Sequence, residues 1–424
     1  MNTKPRTLSL LAFLALSLQA LASATAQDST GESVSTPRVS TGLDVLLQDR
    51  LQSITGKRIA IVTNHTGQNA SGQRIADLLA KHATVVAILG PEHGFTGSAP
   101  NGVNVANGKD PATGSPVFSL YGEFHSPTSA MLKGANLVVY DIQDVGAKFY
   151  TFISTLFLTL EACARDQIPV LVLDRPNPIT GVAVEGPVTH PGATSFVGIA
   201  PICIRHGMTV GELALMFNTE HFIGHKIGAQ VQVVPVKGWS RSLWYDETGL
   251  PWVSPSPNMA TLHTAIVYPG TCLFEGTNIS EGRGTPQPFE TIGAPWIDGE
   301  RWADDLNAQG LPGVVFSATS FVPVGIQDKA PNPKYKDELC GGVRITVTDR
   351  ELFQPVATGV AMLCSAKRLF PESLQLRTFL DRLWGSERLR ERVLAQADWH
   401  QIMNETQSDK EQFLSIRSNY LVYR

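Results

Sequence analysis

Runs of branched apolar residues, too short for helices and too continuous for half-exposed strands, recur through the first part of this chain. They are 57–64 (KRIAIVTN), 83–89 (ATVVAIL), 136–144 (NLVVYDIQD), 168–178 (IPVLVLDRPNP) and 229–239 (AQVQVVPVKGW). Helical patterns stand between them, at 75–79, about 149–165 and 209–218. Strands apolar on both faces, alternating with helices, require a parallel sheet covered on both sides. The predicted fold class is therefore α/β, a Rossmann-like doubly wound sheet. No G-x-G-x-x-G follows the first strand, where the turn reads TNHTGQNASG, and no G-x-x-x-x-G-K-[ST] occurs. That excludes the nucleotide-binding versions of this architecture. Past 253–257 (VSPSP) the texture changes to a loop-rich segment reaching about Trp296. Mixed strands, including 341–349 (GGVRITVTD), and several helices over 353–415 follow. The expected organisation is a first domain at 42–256 and a smaller α+β domain at 257–424.

The N-terminus reads as a secretion signal. Lys4 and Arg6 precede an apolar stretch from Leu8 to Leu21, and Ala24-Thr25-Ala26 is an A-x-A cleavage site. The apolar stretch is short for a membrane span and no cysteine stands at the cleavage site, so no stable membrane anchor is expected. Residues 27–41 read as a flexible N-terminus on an exported chain, periplasmic or secreted. A net charge of −4 gives no electrostatic basis for binding nucleic acid. Five scattered cysteines without a C-x-x-C pair allow two disulfides at most, provide no zinc site, and read mostly as small buried hydrophobes.

In an open parallel sheet, ligands sit outside the carboxyl ends of the strands. Three strands here end in acids: Glu92-His93; Asp141, Gln143 and Asp144; and Asp174, Arg175 and Asn177. One charged tip is an ordinary cap or turn. Three on one edge point to a site, because a carboxyl set against apolar strand residues can be raised into the range of a general acid. The glycine-rich segment 268–285 (YPGTCLFEGTNISEGRGT) adds Glu275, Asn278, Glu281 and Arg283, beside Tyr268, Phe274 and Phe289. Trp239, Trp244, Trp252 and Trp296 lie near the domain junction, where aromatics could stack on sugars. Glu92, Asp141 and Asp174 are expected on one sheet edge, facing 275–285.

The stretches TNHTG, GPEHGFTG, YDIQDVGAKFYTF, DRPNPITG, SPNM and FEGTNISEGRGT resemble the exo-β-N-acetylmuramidases of the NamZ family, from about Gly42 to the C-terminus. The resemblance implies a Rossmann-like domain, a smaller C-terminal domain and an active site in the cleft between them. It implies release of terminal N-acetylmuramic acid from the non-reducing ends of peptidoglycan fragments (MurNAc-GlcNAc); hydrolysis by carboxylates needs no cofactor, and with neither nucleotide nor metal motifs in the sequence none is expected. Glycoside hydrolysis needs a carboxylic acid on the leaving oxygen and usually a second carboxylate. Glu92 is the expected general acid or acid/base, with His93 tuning it or binding substrate. Asp141 and Asp144 rank ahead of Glu281 and Glu185 as its partner, unless the substrate's own acetamido group is the nucleophile. Arg283 or Arg175 would grip the lactyl carboxylate of muramic acid. Asn64, Gln143, Tyr150, Asn177, Glu185, Asn258, Glu275 and Asn278 complete the binding set. Two other readings are a non-catalytic periplasmic sugar or muropeptide receptor, and a metal-dependent hydrolase using His65, His93 and Asp141.

Overall fold

The computed structural model describes residues 39–100, 102–103, 106–222 and 224–424. The expected leader (1–26) and residues 27–38 lie outside them. Seven strands form the larger sheet: β1 (Arg58–Thr63), β2 (Thr84–Gly90), β3 (Gly108–Lys109), β4 (Pro116–Ser119), β5 (Leu137–Asp141), β6 (Val170–Leu173) and β7 (Val231–Val234), in the order β3-β4-β2-β1-β5-β6-β7. All its pairings are parallel except that of the short edge strand β3 with β4. Side chains alternate cleanly between two cores. Ala60, Val62, Val138, Tyr140, Val170 and Val172 enter the larger core, whereas Ile59, Ile61, Leu137, Val139, Leu171 and Leu173 enter the smaller one.

Helices α1 (Gly42–Asp49) and α2 (Ile75–Leu79) cover the second face through Leu43, Leu46, Ile75 and Leu79. Helices α3 (Phe152–Arg165) and α4 (Val210–Thr219) cover the first through Leu156, Leu160, Leu213 and Phe217. The architecture is the doubly wound sheet expected from the apolar runs. Thr41 and Asp44 form a reciprocal capping box at the start of α1. Val39 is buried, and Ser40 pairs with Lys237 through two backbone hydrogen bonds of 2.9 Å. Residues 39–41, assigned from composition to the flexible N-terminus, are thus held against the fold.

The second part holds an antiparallel sheet of β8 (Thr291–Ala294), β9 (Val314–Phe321) and β10 (Cys340–Val347), with β10 in the middle. Around it lie α5 (Leu262–Thr271), α6 (Gly299–Ala308) and α7 (Pro355–Leu369). Then come α8 (Phe379–Trp384), α9 (Arg388–Leu394), α10 (Trp399–Asn404) and α11 (Gln407–Arg417). The larger core runs without a break from the first sheet into these helices. All five cysteines are free, and four are buried.

Lys148, just past β5, is a buried strut between the two parts. Its Nζ donates to the carbonyl of Trp384 at 3.0 Å, at the end of α8. Burial depresses the amine to about 7, although Cys203 and Asp409 pull the other way. The unfolded chain holds a proton here up to the ordinary lysine range, whereas the folded chain releases it from about pH 7. The resulting penalty is full below pH 7 and is relieved as pH rises toward 10.5. Lys148→Met should therefore stabilise the protein most at pH 6, with its advantage over the parent shrinking by pH 9–10 in chemical denaturation. An advantage that grows with pH would contradict this account.

Candidate active site

The turn after β2 builds the first wall. Pro91-Glu92-His93-Gly94 closes with the Gly94 N–H donating to the Pro91 carbonyl at 2.9 Å, and His93 takes φ 70°. A histidine in the left-handed region is strained, and such strain persists only where the surroundings over-determine it. The turn carries Glu92 to the start of α3, where the Thr151 hydroxyl donates to Oε2 at 2.7 Å. The Gly102 N–H donates to Oε1 at 3.2 Å, and the Tyr121 hydroxyl adds a third bond. Burial and the Glu92 charge push Tyr121 up to about 12, so it stays a donor. The His93 Nδ1 lies 2.7 Å from the Ala99 carbonyl. A carbonyl can only accept, so Nδ1 carries the proton. Burial lowers the His93 pKa against the opposing pull of Glu92, which leaves a neutral ring with Nε2 as an acceptor.

The segment 274–285 builds the facing wall. Gly282 and Gly284 flank Arg283 with φ of 74° and 80°. A Cβ at Gly282 would stand 2.4 Å from the Thr291 carbonyl, so only glycine lets the loop approach β8. Arg283 bonds Glu275 at 2.6 Å and contacts Glu281 at 3.3 Å; Lys334 reaches the other Glu281 oxygen at 3.0 Å. Burial raises the Glu275 carboxyl despite Arg283. At Glu281 burial acts the same way, but Lys334 and Arg283 outweigh it and hold the carboxyl below its usual range. Arg283 also sits 4.9 Å from the ring centre of Phe289, itself at φ 65°.

Between these walls lies a cavity of about 330 Å³, lined by Glu92, His93, Tyr150, Glu275 and Arg283 among the residues singled out from sequence. Edge-to-face contacts link Tyr268 to Phe149, Tyr150 and Phe289, making an aromatic side. Tyr121, His125 and Phe196 form another, with the His125 and Phe196 rings 4.5 Å apart. Ser256 and Met259 of the SPNM stretch also line it, as do Phe379, Arg382 and Leu383 from α8. The sequence reading missed Tyr121, His125, Thr151, Phe196 and Arg382. Only Thr151 carried a signal, lying next to Tyr150 in the KFYTF stretch.

The other strand-end groups are engaged elsewhere. Asp141 is fully buried in a two-pronged ion pair with Arg175, at 2.5 and 3.0 Å, and Arg175 also donates to the Gln68 carbonyl. Asp144 accepts from the Gly146 N–H at 2.7 Å and faces His206 at 3.4 Å. Asp174 accepts from Thr209, Gly211 and Tyr423, capping α4; burial raises its carboxyl to about 6 against those bonds. Gln143 donates to the carbonyls of Asp144 and Pro176, and Asn64 accepts from Thr66. Asn177 donates to the Met208 carbonyl, Asn258 to that of Lys329 and Asn278 to that of Ser373. Glu185 pairs with Arg205 at 2.9 Å. None of these lines the cavity, nor does Glu281, which stands behind Arg283.

Glu92, Asp141 and Asp174 do stand at the carboxyl ends of three strands of one sheet, but only Glu92 shares a cavity with residues of 275–285. The four tryptophans are also elsewhere: Trp239 packs on Tyr423, Trp252 on Tyr245, Trp244 donates to Glu351 and Trp296 to Tyr335. The His65 Nε2 is bound to the Ser254 carbonyl, and no group of three metal-binding side chains gathers among the described residues.

An acid on a strand-end turn and a second acid across an aromatic-walled cavity are an arrangement that glycoside hydrolysis can use. Residues 59–263 match the family described as Exo-beta-N-acetylmuramidase NamZ, N-terminal, and residues 266–423 match its C-terminal counterpart. The chain belongs to this family. It is 42% identical, over 95% of both chains, to the peptidoglycan beta-N-acetylmuramidase NamZ of Bacillus subtilis (strain 168). Crystal structures of two DUF1343 family proteins from Bacteroides fragilis share its fold, with TM-scores of 0.83 and 0.76. Each is 33% identical, over 91% of this chain and 99% of the other.

The ion pair and the cavity acid should respond differently to loss of charge. Asp141→Asn leaves Arg175 buried without its counter-charge and should cost about 3–5 kcal/mol in unfolding free energy. Glu92→Gln leaves no buried counter-charge behind and keeps an acceptor oxygen for its hydroxyl and amide donors, so it should cost less, about 1–2 kcal/mol. Similar small losses in both variants would return Asp141 to the reactive groups.

Proposed function

We propose that the chain is an exo-acting glycoside hydrolase that releases terminal N-acetylmuramic acid from the non-reducing ends of peptidoglycan fragments. The observation that carries this reading is the pairing of Glu92 and Glu275 across one cavity, the only carboxylates lining it among the described residues. Its size lies at the low end of ligand pockets, roughly 300–1,000 Å³, which suits one terminal sugar better than a threaded polymer. Glu92 is the general acid, held by Thr151 and Tyr121. Glu275 takes the second-carboxylate role in place of Asp141 and Asp144, unless the substrate acetamido group supplies the nucleophile. His93 offers Nε2 as an acceptor, and Tyr150 and Tyr268 provide faces for the sugar ring.

Export to the periplasm or medium is part of the proposal and is supported by the leader pattern; no helix among the described residues is long and apolar enough to cross a membrane. A division into domains at 42–256 and 257–424 is likewise proposed, supported by the separate sheets. A receptor without turnover is the alternative. Purified protein should hydrolyse an aryl β-N-acetylmuraminide, and Glu92→Gln should lower kcat about 10²–10⁴-fold with little change in affinity for N-acetylmuramic acid. Binding without hydrolysis by the parent protein would favour the receptor.

A further inference from the structure

The charges around the cavity are nearly all neutralised by one another. Glu275, Arg283, Glu281 and Lys334 form a chain of two acids and two bases in alternating contact, with no net charge. Arg283 is therefore committed on both of its faces before any substrate arrives. Arg175, the other arginine expected to bind a carboxylate, is sealed against Asp141 and does not reach the cavity. Glu92, on the other wall, offers no cation either. A sugar carrying a carboxylate would thus enter a pocket with no cation to receive it, save one.

That one is Arg382. It lines the cavity from α8, is exposed, and has no ion pair or side-chain hydrogen bond among the described residues. Its neighbour Asp381, the obvious internal partner, is taken by Arg390 at 2.8 Å. The backbone beneath it is firmly seated. Leu380, Leu383 and Trp384 are buried, Lys148 holds the Trp384 carbonyl, and Gly276, next to Glu275, packs against Leu380 so closely that a Cβ there would stand 2.6 Å from its Cα. A fixed base with an uncommitted guanidinium at the cavity mouth is the geometry of a carboxylate receptor.

We propose that Arg382 receives the lactyl carboxylate of the terminal N-acetylmuramic acid and so sets the preference over N-acetylglucosamine, an inference that rests on the hydrolase reading above. The Arg283 cluster then positions Glu275 and does not bind the lactyl group. An amide to a stem peptide removes the charge that Arg382 would pair with.

The test compares the parent, Arg382→Met and Arg382→Lys on aryl β-N-acetylmuraminide, on its lactyl methyl ester and on aryl β-N-acetylglucosaminide. Affinities for free N-acetylmuramic acid and N-acetylglucosamine are measured alongside. Arg382→Met should raise KM for the muraminide about 10- to 100-fold with kcat little changed, the range of one lost charge-assisted contact. It should weaken N-acetylmuramic acid binding equally and leave the ester, the glucosaminide and N-acetylglucosamine unaffected. Arg382→Lys should recover part of the loss. Unchanged muraminide KM and unchanged N-acetylmuramic acid affinity in Arg382→Met would overturn the proposal, as would an equal loss on charged and uncharged ligands. If the parent binds N-acetylmuramic acid without hydrolysing anything, the hydrolase reading fails while the affinities still decide the role of Arg382. If the parent neither binds nor cleaves it, both fall.

Discussion

The buried ion pair between Asp141 and Arg175 fixes the working edge of the large sheet. Asp141 is the last residue of β5, Arg175 lies two positions past β6, and the same guanidinium reaches the Gln68 carbonyl in the loop after β1. Three adjacent strand ends at the centre of the sheet are therefore locked by one side chain. A buried pair of this kind is expensive to break from either side, because the survivor keeps an uncompensated charge. The centre of the edge is thus rigid and chemically closed. The proposed acid sits on the next strand over, where β2 ends in a turn whose carboxylate is held by hydroxyl and amide donors and not by a cation.

The same contrast governs the second wall. Arg283 pulls Glu275 and Glu281 together, and Lys334 draws Glu281 away, so two neighbouring acids have opposite tendencies: one carboxyl raised by burial, the other held low by two cations. Environments that push paired acids apart are how a single fold assigns them separate tasks. The strained backbones of His93 and Phe289, one on each wall, fit a cavity shaped before substrate binds. Preorganised donors around Glu92 then need no rearrangement when charge moves during reaction.

Much of this was legible in the sequence, and the limits are physical. The runs of β1, β5 and β6 stood out because nearly every position is buried, and apolar residues then fill both faces; β7, at the sheet edge, is interrupted by the exposed Gln232. Glu92 stood out because it is one of three acidic strand ends on a single sheet edge, where one alone would be an ordinary cap or turn. What a strand tip cannot disclose is whether a cation from a neighbouring strand already holds it. Asp141 and Glu92 look alike in sequence, and Arg175, thirty-odd positions later, makes the difference. The tryptophans misled for a related reason: they mark buried surface, and the core needs such residues as much as a sugar does. Arg382 gave no signal at all, because an arginine on a short amphipathic helix is ordinary until its neighbours prove to be paired elsewhere.

The chain's last residues explain how two parts with separate sheets hold one cavity in register. After α11 the tail leaves the second part and returns to the first sheet. The Tyr423 hydroxyl donates to Asp174 at 2.5 Å, the Val422 N–H to Glu212 at 2.8 Å and the Tyr420 hydroxyl to Glu220 at 2.5 Å. Arg417 adds bonds to the carbonyls of Gly181 and Gly207. The second part is thus anchored at both ends, by the 253–257 crossover and by this tail, with Lys148 fixing α8 between them. A unit tethered once can hinge; one tethered at three separated points, over a continuous apolar core, has little rigid-body freedom. The position of Glu275 and α8 relative to Glu92 is therefore set by folding. On this view Asp174, an acid at a strand tip that reacts with nothing, serves the cavity from a distance by holding the end of the chain in place.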